Sequence, residues 1–160
     1  MLKSRISNIT NAPVTLADFK AFLGGINHTL QDAVIQRHLN AAIIWVTKHS
    51  NIPAANFDVE LTQDKATLSQ EILYDNITIA TVKDLETGDE ISYDTNAKKS
   101  IINTDIYYQL LVNYSCVRVD NEVLTDAILN YATVLYSGQT DMDAIKRITN
   151  DLRTIQNEIY

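Results

Sequence analysis

The spacing of apolar residues changes twice along this chain of 160 residues, and no other feature of the sequence restricts its fold more. Apolar residues recur every three or four positions up to about residue 50 and again after residue 121, as in amphipathic helices. Between them lie short runs of β-branched and aromatic residues with polar breaks, as in strands. The sequence therefore predicts an α+β protein, mainly α: a bundle of about four helices with a small antiparallel β-sheet or hairpin inserted between helix 2 and helix 3.

The first helix is predicted from the stretch 14-VTLADFKAFLGG-25. Thr15 and Asp18 have the T-x-x-D spacing of a capping box, in which each side chain accepts the other residue's backbone N–H. Gly24 or Gly25 can end the helix because glycine adopts the left-handed conformation without a side-chain penalty. One apolar stripe is expected along this helix, formed by Leu16, Phe19, Phe22 and Leu23.

The second helix is predicted to begin at Thr29, where Asp32 repeats the capping spacing, and to run to about His49. On a helical wheel Trp45 falls on the apolar face and is expected in the core. His38 lies on the same arc and is interpreted as a core side chain, because no second His or Cys stands four residues away to complete a metal pair. The predicted core face is Val34, Ala41 and Trp45, extended by Ile35, Leu39, Ala42 and Val46.

The middle of the chain is predicted to contain four strands, and the stretch 77-ITIATVKDLETGDEISYD-94 reads as a hairpin with its turn at 86-ETGD-89. Residues 95–104 are expected to form a loop. The single cysteine, Cys116, is interpreted as a buried structural thiol. The predicted strands are Asp58 to Leu61, Ile77 to Lys83, Glu90 to Tyr93 and Tyr107 to Val119.

Two further helices are predicted after Asn121, separated by 137-SGQTD-141, with a third T-x-x-D box at Thr140 and Asp143. The final helix carries isoleucines and a leucine at alternating spacings of three and four, which is a narrow seam of the coiled-coil type. Such a seam needs another helix against it, in this chain or in the next copy. Within the chain, its partners would be Leu124, Ile128 and Leu135.

The predicted domain organisation is an N-terminal arm at residues 1–12 and a single domain at 13–160. That domain divides into helices 1 and 2 (13–52), the β insertion (53–119) and the C-terminal helices (120–160). No apolar run approaches a membrane span, and residues 1–12 are too polar for a signal peptide, so the chain is expected to be soluble and unsecreted. A formal net charge of −7 argues against nucleic-acid binding as the main function, because phosphate affinity comes from clustered Lys and Arg.

No residue pattern of a known catalytic or metal site is present in the sequence. A Gly-rich phosphate loop, a G-x-S-x-G turn, an H-E-x-x-H pattern and paired cysteines are all missing from it. Asp141 and Asp143 have the spacing of a calcium loop, but Lys146 stands where that loop requires glycine. We therefore expect no enzyme activity, no catalytic or metal residues and no cofactor; a hydrolase using His38 or the acids near the hairpin is the remaining catalytic alternative.

The order of these elements resembles the head–tail connector, or head-completion adaptor, family of tailed bacteriophages. The resemblance covers Pro13 to about Arg153. The stretches that carry it are 13-PVTLADFK-20, 40-NAAIIWV-46, 77-ITIATVKDLETGDEISYD-94 and 127-AILNYATVLYSG-138. This chain departs from the family at 24-GGINHT-29 and 137-SGQTD-141, where the family commonly has Arg, His or acidic residues.

The resemblance implies a structural virion protein that forms a ring below the portal, extends the DNA channel and offers a docking surface to neck or tail proteins. The implied partners are the portal protein, a neck or tail-completion protein and further copies in a dodecameric ring, with genomic DNA passing without specific binding and no membrane. The implied location is the virion neck, and the host cytoplasm during assembly. The alternative is a non-viral adaptor module that binds a protein or a small ligand in the β insertion.

Three sets of residues are predicted to contact other proteins. Two isoleucines project from the polar side of the second helix, the hairpin turn is expected to be exposed, and the final helix carries the apolar seam. Apolar surface left in water is unfavourable, so a partner is expected to cover it. The predicted interface residues are Ile43, Ile44, Glu86, Thr87, Gly88, Asp89, Ile145, Ile148, Leu152, Ile155 and Ile159.

Overall fold

A computed structural model of the chain describes residues 2–26, 29–74, 77–96, 101–138 and 141–159, with the side chains of 157–159 outside the description. The chain forms two compact units. Met1–Thr10 and Asn56–Val117 make up the first, called the sheet unit below, and Asn11–Ala55 and Arg118–Tyr160 make up the second, called the helical unit.

The sheet unit is one antiparallel sheet of the strands β1 (Leu2–Thr10), β2 (Asn56–Glu71), β3 (Ile77–Asp84), β4 (Asp94–Thr95) and β5 (Ile101–Cys116). The strands lie in the order β1-β2-β5-β3, and the short β4 pairs with β5. Two strands of 16 residues form its centre. Residues 2–10, which were predicted as part of an N-terminal arm, form the edge strand β1 and pair with β2.

Alternation along the strands gives the sheet one apolar and one polar face. On β2, Phe57, Val59 and Leu61 are buried, whereas Asp58 and Glu60 between them are not. Tyr114 lies opposite Val59 on β5 and is also buried. The apolar cluster of this unit is Phe57, Val59, Leu61, Ile72, Tyr74, Ile77, Val82, Ile102, Leu110, Val112, Tyr114 and Cys116.

The helical unit contains α1 (Leu16–Phe22), α2 (Asp32–Ser50), α3 (Glu122–Ser137) and α4 (Met142–Ile159). The α2 helix packs against the other three, and α3 also packs against α4. All four correspond to predicted helices, because each has apolar residues at helical spacing. The buried apolar side chains include Phe19, Ile35, Leu39, Leu124, Ile128 and Leu152.

The helix termini confirm some of the predicted caps and correct one. At α1 the backbone N–H of Asp18 donates to Thr15 Oγ1 (3.1 Å) and that of Thr15 donates to Asp18 Oδ2 (2.9 Å), so the capping box is complete. Gly24 follows with a φ of 98°. The second box is wrong: α2 begins at Asp32 after Gln31, which makes no side-chain cap bond.

The Asp32 carboxylate instead accepts a hydrogen bond from Lys20 Nζ at 2.7 Å, which joins α1 to the start of α2. The third predicted box includes Thr140, which lies outside the described residues. At the start of α4, Asp141 Oδ1 accepts the backbone N–H groups of Asp143 and Ala144 at 3.1 and 2.9 Å. An aspartate therefore caps this helix.

The predicted fold class is wrong, because the β part is a sheet with its own core and not a small insertion in a helical bundle. The predicted strand at Glu90 to Tyr93 is only an isolated bridge between Glu90 and Lys83, and the predicted loop at 95–104 contains Thr95 of β4 and the start of β5 at Ile101. These errors share a cause: strand pairing joins distant segments, so a short local pattern underestimates a long strand.

Candidate interaction surfaces

Three of the six predicted interface isoleucines, Ile43, Ile148 and Ile155, are buried within the helical unit. Ile43 is 1% exposed, so its predicted place on the surface is wrong. Ile44 and Ile145 are half-buried, and nothing is described of the Ile159 side chain. In the seam, Ile148, Leu152 and Ile155 are buried. The second helix that the seam requires is therefore supplied within this chain.

The correction at Ile43 reflects a different orientation of α2. The buried face is Ile35, Leu39, Ala42, Ile43, Val46, Thr47 and Ser50. Val34 and Ala41, which the helical wheel placed in the core, are exposed. Helical spacing fixes the width of an apolar arc but not which edge of it faces solvent, and the α2 arc is wide enough to allow both orientations.

Trp45 is half-buried and not a core residue. It lies between two rings, with centroids 3.8 Å from His49 and 4.0 Å from Tyr131, both stacked. His49 Nδ1 is 2.8 Å from the Trp45 carbonyl oxygen, one helical turn earlier. Burial raises the pKa of Tyr131. These stacking contacts, all within the helical unit, explain the partial burial of Trp45. His38 packs edge-on against Tyr136 in the same unit.

The predicted turn at 86–89 is exposed along its whole length. Its shape is set by Asp84, whose carboxylate accepts the backbone N–H of Glu86 (3.1 Å) and the hydroxyl of Thr87 (3.3 Å). Gly88 has a φ of 78°, which favours glycine at this position. The turn presents Glu86 and Asp89 to solvent as an acidic surface on the sheet unit.

Large apolar side chains are exposed where α1 ends and α2 begins. Leu30 is 93% exposed, Phe22 51% and Val34 45%. Arg37, one turn after Val34 on α2, is also exposed. We call Phe22, Leu30 and Val34 the exposed apolar patch. Exposed apolar side chains near one junction of helices are candidates for contact with another protein.

A groove of about 270 Å³ runs between α3 and α4. Its floor is apolar, with Val123, Ala127 and Ile155 among the lining residues, and Asp126 and Asp151 line it as exposed carboxylates. It is smaller than the ~300–1,000 Å³ that is typical of small-molecule sites. The α3–α4 groove therefore suits the side chains of a protein partner better than a metabolite.

Comparison with solved structures identifies the fold. A chain in the neck of an empty gene transfer agent particle, computed with C6 symmetry, is 14% identical and superposes with a TM-score of 0.51 over 83% of this chain and 84% of that chain. A chain in the virion of a native gene transfer agent particle is 15% identical, with a TM-score of 0.51 over 89% of this chain and 93% of that chain.

This chain has the fold of a neck component of a phage-like particle. The resemblance to connector proteins that the sequence motifs indicated is thereby confirmed at the level of the fold. No protein-family model and no curated protein sequence matches the chain.

The polar face of the sheet carries an open groove of about 520 Å³ lined by Arg5, Asp58, Glu60 and Asn113 among others. Asp58 accepts hydrogen bonds from Asn8 Nδ2 (2.7 Å) and Ser115 Oγ (2.8 Å). These two bonds, the one from Asn8 foremost, lower the pKa of Asp58. The carboxylate thus serves to join strands.

The ionisable groups on the apolar face of the sheet are held in their neutral forms. Burial raises the pKa of the Cys116 thiol to about 12 and that of the Tyr74 hydroxyl to about 12, and it also raises the pKa of Tyr114. Cys116 is free and buried, as predicted. A thiol in this environment is a poor nucleophile because the thiolate is the reactive form.

Within the described part of the chain, no three His, Cys, Asp or Glu side chains are grouped as a metal site would require. Among the helices described, none combines the length and the apolar character needed to cross a membrane.

The exposure of the three side chains in the exposed apolar patch was not predicted from the sequence. Phe22 was assigned to the apolar stripe of the first helix, Val34 to the core face of the second helix, and Leu30 to the first turn of the second helix. Apolar side chains at helical spacing are expected in the core, so the sequence carries no local signal that would single out these three residues.

Proposed function

We propose that this chain is a structural virion protein, a head–tail connector that forms a ring below the portal, extends the DNA channel and provides the docking surface for neck or tail proteins. The observation that carries the proposal is the fold, shared over 83% and 89% of this chain with chains of particle neck and virion structures. The order of the sequence motifs supports it independently.

The partners we propose are the portal protein, a neck or tail-completion protein and further copies of this chain in a dodecameric ring that matches the portal. A ring subunit must offer surfaces to its neighbours, and the exposed apolar patch and the acidic turn are available for this. The location we propose is the virion neck, with the host cytoplasm as the site of assembly.

Passage of DNA without specific binding also fits the charge of the chain. With a net charge of −7 the protein has more carboxylates than cations, and a like-charged wall repels phosphates instead of retaining them. A subunit of such a ring has no reaction to catalyse, so we propose no enzyme activity for this chain.

The decisive experiment is deletion of the gene from the virus that encodes this chain, followed by electron cryo-microscopy of the particles. The expected result is filled heads that carry a portal but no tail, and recovery of tailed particles when the wild-type gene is supplied in trans. In wild-type particles, density for this chain should form a ring against the portal. Tailed, infectious particles in normal yield from the deletion strain would refute the proposal.

The deletion experiment, combined with native mass spectrometry of the purified chain, separates this proposal from a non-viral adaptor that binds a small ligand. The polar groove at Asp58 is the feature that favours such a ligand. If the chain were such an adaptor, native mass spectrometry would show a metabolite bound to it in a stoichiometric amount. A bound metabolite together with normal tails in the deletion strain would establish the adaptor instead.

A further inference from the structure

We propose that the exposed apolar patch of one copy inserts into the α3–α4 groove of the next copy. The occupant of the groove is therefore a second copy of this chain. This inference rests on the proposed ring, since only a repeated subunit needs to carry both halves of an interface.

The patch is the half of the interface that most needs a cover. Leu30 has 93% of its surface exposed, and Phe22 and Val34 are about half exposed. The ion pair between Lys20 and Asp32 connects α1 to the start of α2, so this surface is held in place by the fold. Exposed apolar side chains of this kind would be covered by a concave apolar partner.

The groove supplies that concave surface. Ile148 and Ile155 are buried at its floor with Ala127, while Asp126 and Asp151 are exposed at its sides. An apolar centre with a polar border is the arrangement of a protein interface. The lining residues of this groove include two carboxylates and no Lys or Arg.

The patch and the groove, the two halves of the proposed interface, have oppositely charged residues beside them. Arg37 is exposed one helical turn beyond Val34, so it would approach the carboxylates of Asp126 and Asp151 when the patch enters the groove. Opposite charges at the border of an interface fix its register and disfavour wrong partners.

A second copy of this chain is a better candidate for the occupant of the groove than a helix of an unrelated protein. The patch and the groove are different surfaces of the same unit, so their contact is heterologous: each copy uses its patch on one neighbour and its groove on the other. Heterologous contacts repeat from copy to copy and close into a ring when the rotation allows it. That is the symmetry a ring subunit requires.

The test uses the full-length chain and portal-bearing heads purified from the deletion strain. Leu30→Ser removes the most exposed apolar side chain, and the matched control is Ile106→Ser, because Ile106 is 57% exposed and lies on the sheet unit. The amount of chain loaded onto heads is measured against its concentration, and circular dichroism checks the fold. Leu30→Ser should raise the concentration needed for loading by about tenfold or more, and Ile106→Ser should leave it unchanged.

Charge reversal then identifies the partner. Arg37→Asp makes both halves acidic, and Asp126→Arg with Asp151→Arg makes both halves basic, so each variant alone should fail to form rings. A mixture of the two should load, because alternating copies restore opposite charges at every contact. A single chain with all three substitutions should load for the same reason.

Each outcome decides something. Normal loading of Leu30→Ser and of both charge variants would overturn this inference and leave the connector function standing. If the charge variants fail alone and their mixture also fails, the patch meets another protein, and the pairing of copies is overturned. If the wild-type chain itself does not load onto heads, the proposed function fails and this inference fails with it.

Discussion

At the scale of single residues, Asp58 shows how one carboxylate can join three strands. It lies on β2 and accepts hydrogen bonds from Asn8 of β1 and Ser115 of β5. Both donors bind the ionised form better than the neutral form, which is why the pKa of Asp58 is lowered. The stability of the sheet unit is thereby linked to pH.

The sign of that link follows from the lowered pKa. Asp58 contributes stability above its unfolded pKa of about 3.8, and this contribution is lost as the pH falls through the lower folded value. Asp58→Asn should therefore be less stable than wild type near neutral pH, and the difference should shrink as the pH falls below 4, about where the unfolded carboxyl titrates. Thermal melting followed by circular dichroism measures this, with the exposed Asp126→Asn as the control. A constant difference between Asp58→Asn and wild type at every pH would contradict the assignment.

At the scale of elements, two T-x-x-D stretches of the same spacing behave differently. Thr15 caps α1 with both hydrogen bonds of a capping box, whereas Thr29 lies two residues before the N-cap residue of α2, Gln31. The motif is local, but its use depends on where packing lets the helix begin. For α2, Asp32 is engaged by Lys20 from α1.

The two threonines give a matched pair of substitutions. Thr15→Ala should destabilise the helical unit by about 1 kcal/mol, which is typical for loss of an N-cap side chain. Thr29→Ala should have an effect close to zero, since surface substitutions away from such features usually change stability by less than about 0.5 kcal/mol. Chemical denaturation of the two variants beside wild type measures both. Equal losses would show that Thr29 also caps a helix.

The sequence predicted the helices more successfully than the sheet, for a physical reason. Caps and three-to-four spacing act within a few residues, so α1, α3 and α4 could be located from local patterns. Most pairs between β1 and β2 join residues more than fifty positions apart, as in Ile6 with Val59. Taken by itself, the stretch 2-LKSRISNIT-10 has too few apolar residues to predict a strand.

Of the candidate interaction surfaces, the one set by local sequence could be predicted and the one set by packing could not. The turn at 86–89 was predicted because its glycine and acidic residues are typical of an exposed turn. The apolar patch could not be predicted, because apolar side chains in a sequence are expected in the core and only packing shows which ones are left outside. For this reason Ile43, predicted on the surface, is buried, and Val34, predicted in the core, is exposed.

At the scale of the whole molecule, acidic charge is shared by both units. Each carries more Asp and Glu than Lys and Arg, and together they give the net charge of −7. Affinity for duplex DNA arises mainly from cations that displace counterions from phosphates. A subunit near a DNA channel with this charge would let the polymer pass without holding it.

We therefore expect the isolated chain to bind duplex DNA with a Kd weaker than about 10⁻⁴ M at physiological salt, the weak end of ordinary non-specific binding. Fluorescence anisotropy with a labelled duplex over a series of salt concentrations measures this. The gain-of-charge control is Glu86→Lys with Asp89→Lys on the exposed turn, which should bind more tightly at low salt and lose that gain as salt rises. Micromolar binding by the wild-type chain with a steep salt dependence would mean that its few Lys and Arg residues converge on one surface and that the protein grips DNA, because net charge alone cannot supply such affinity.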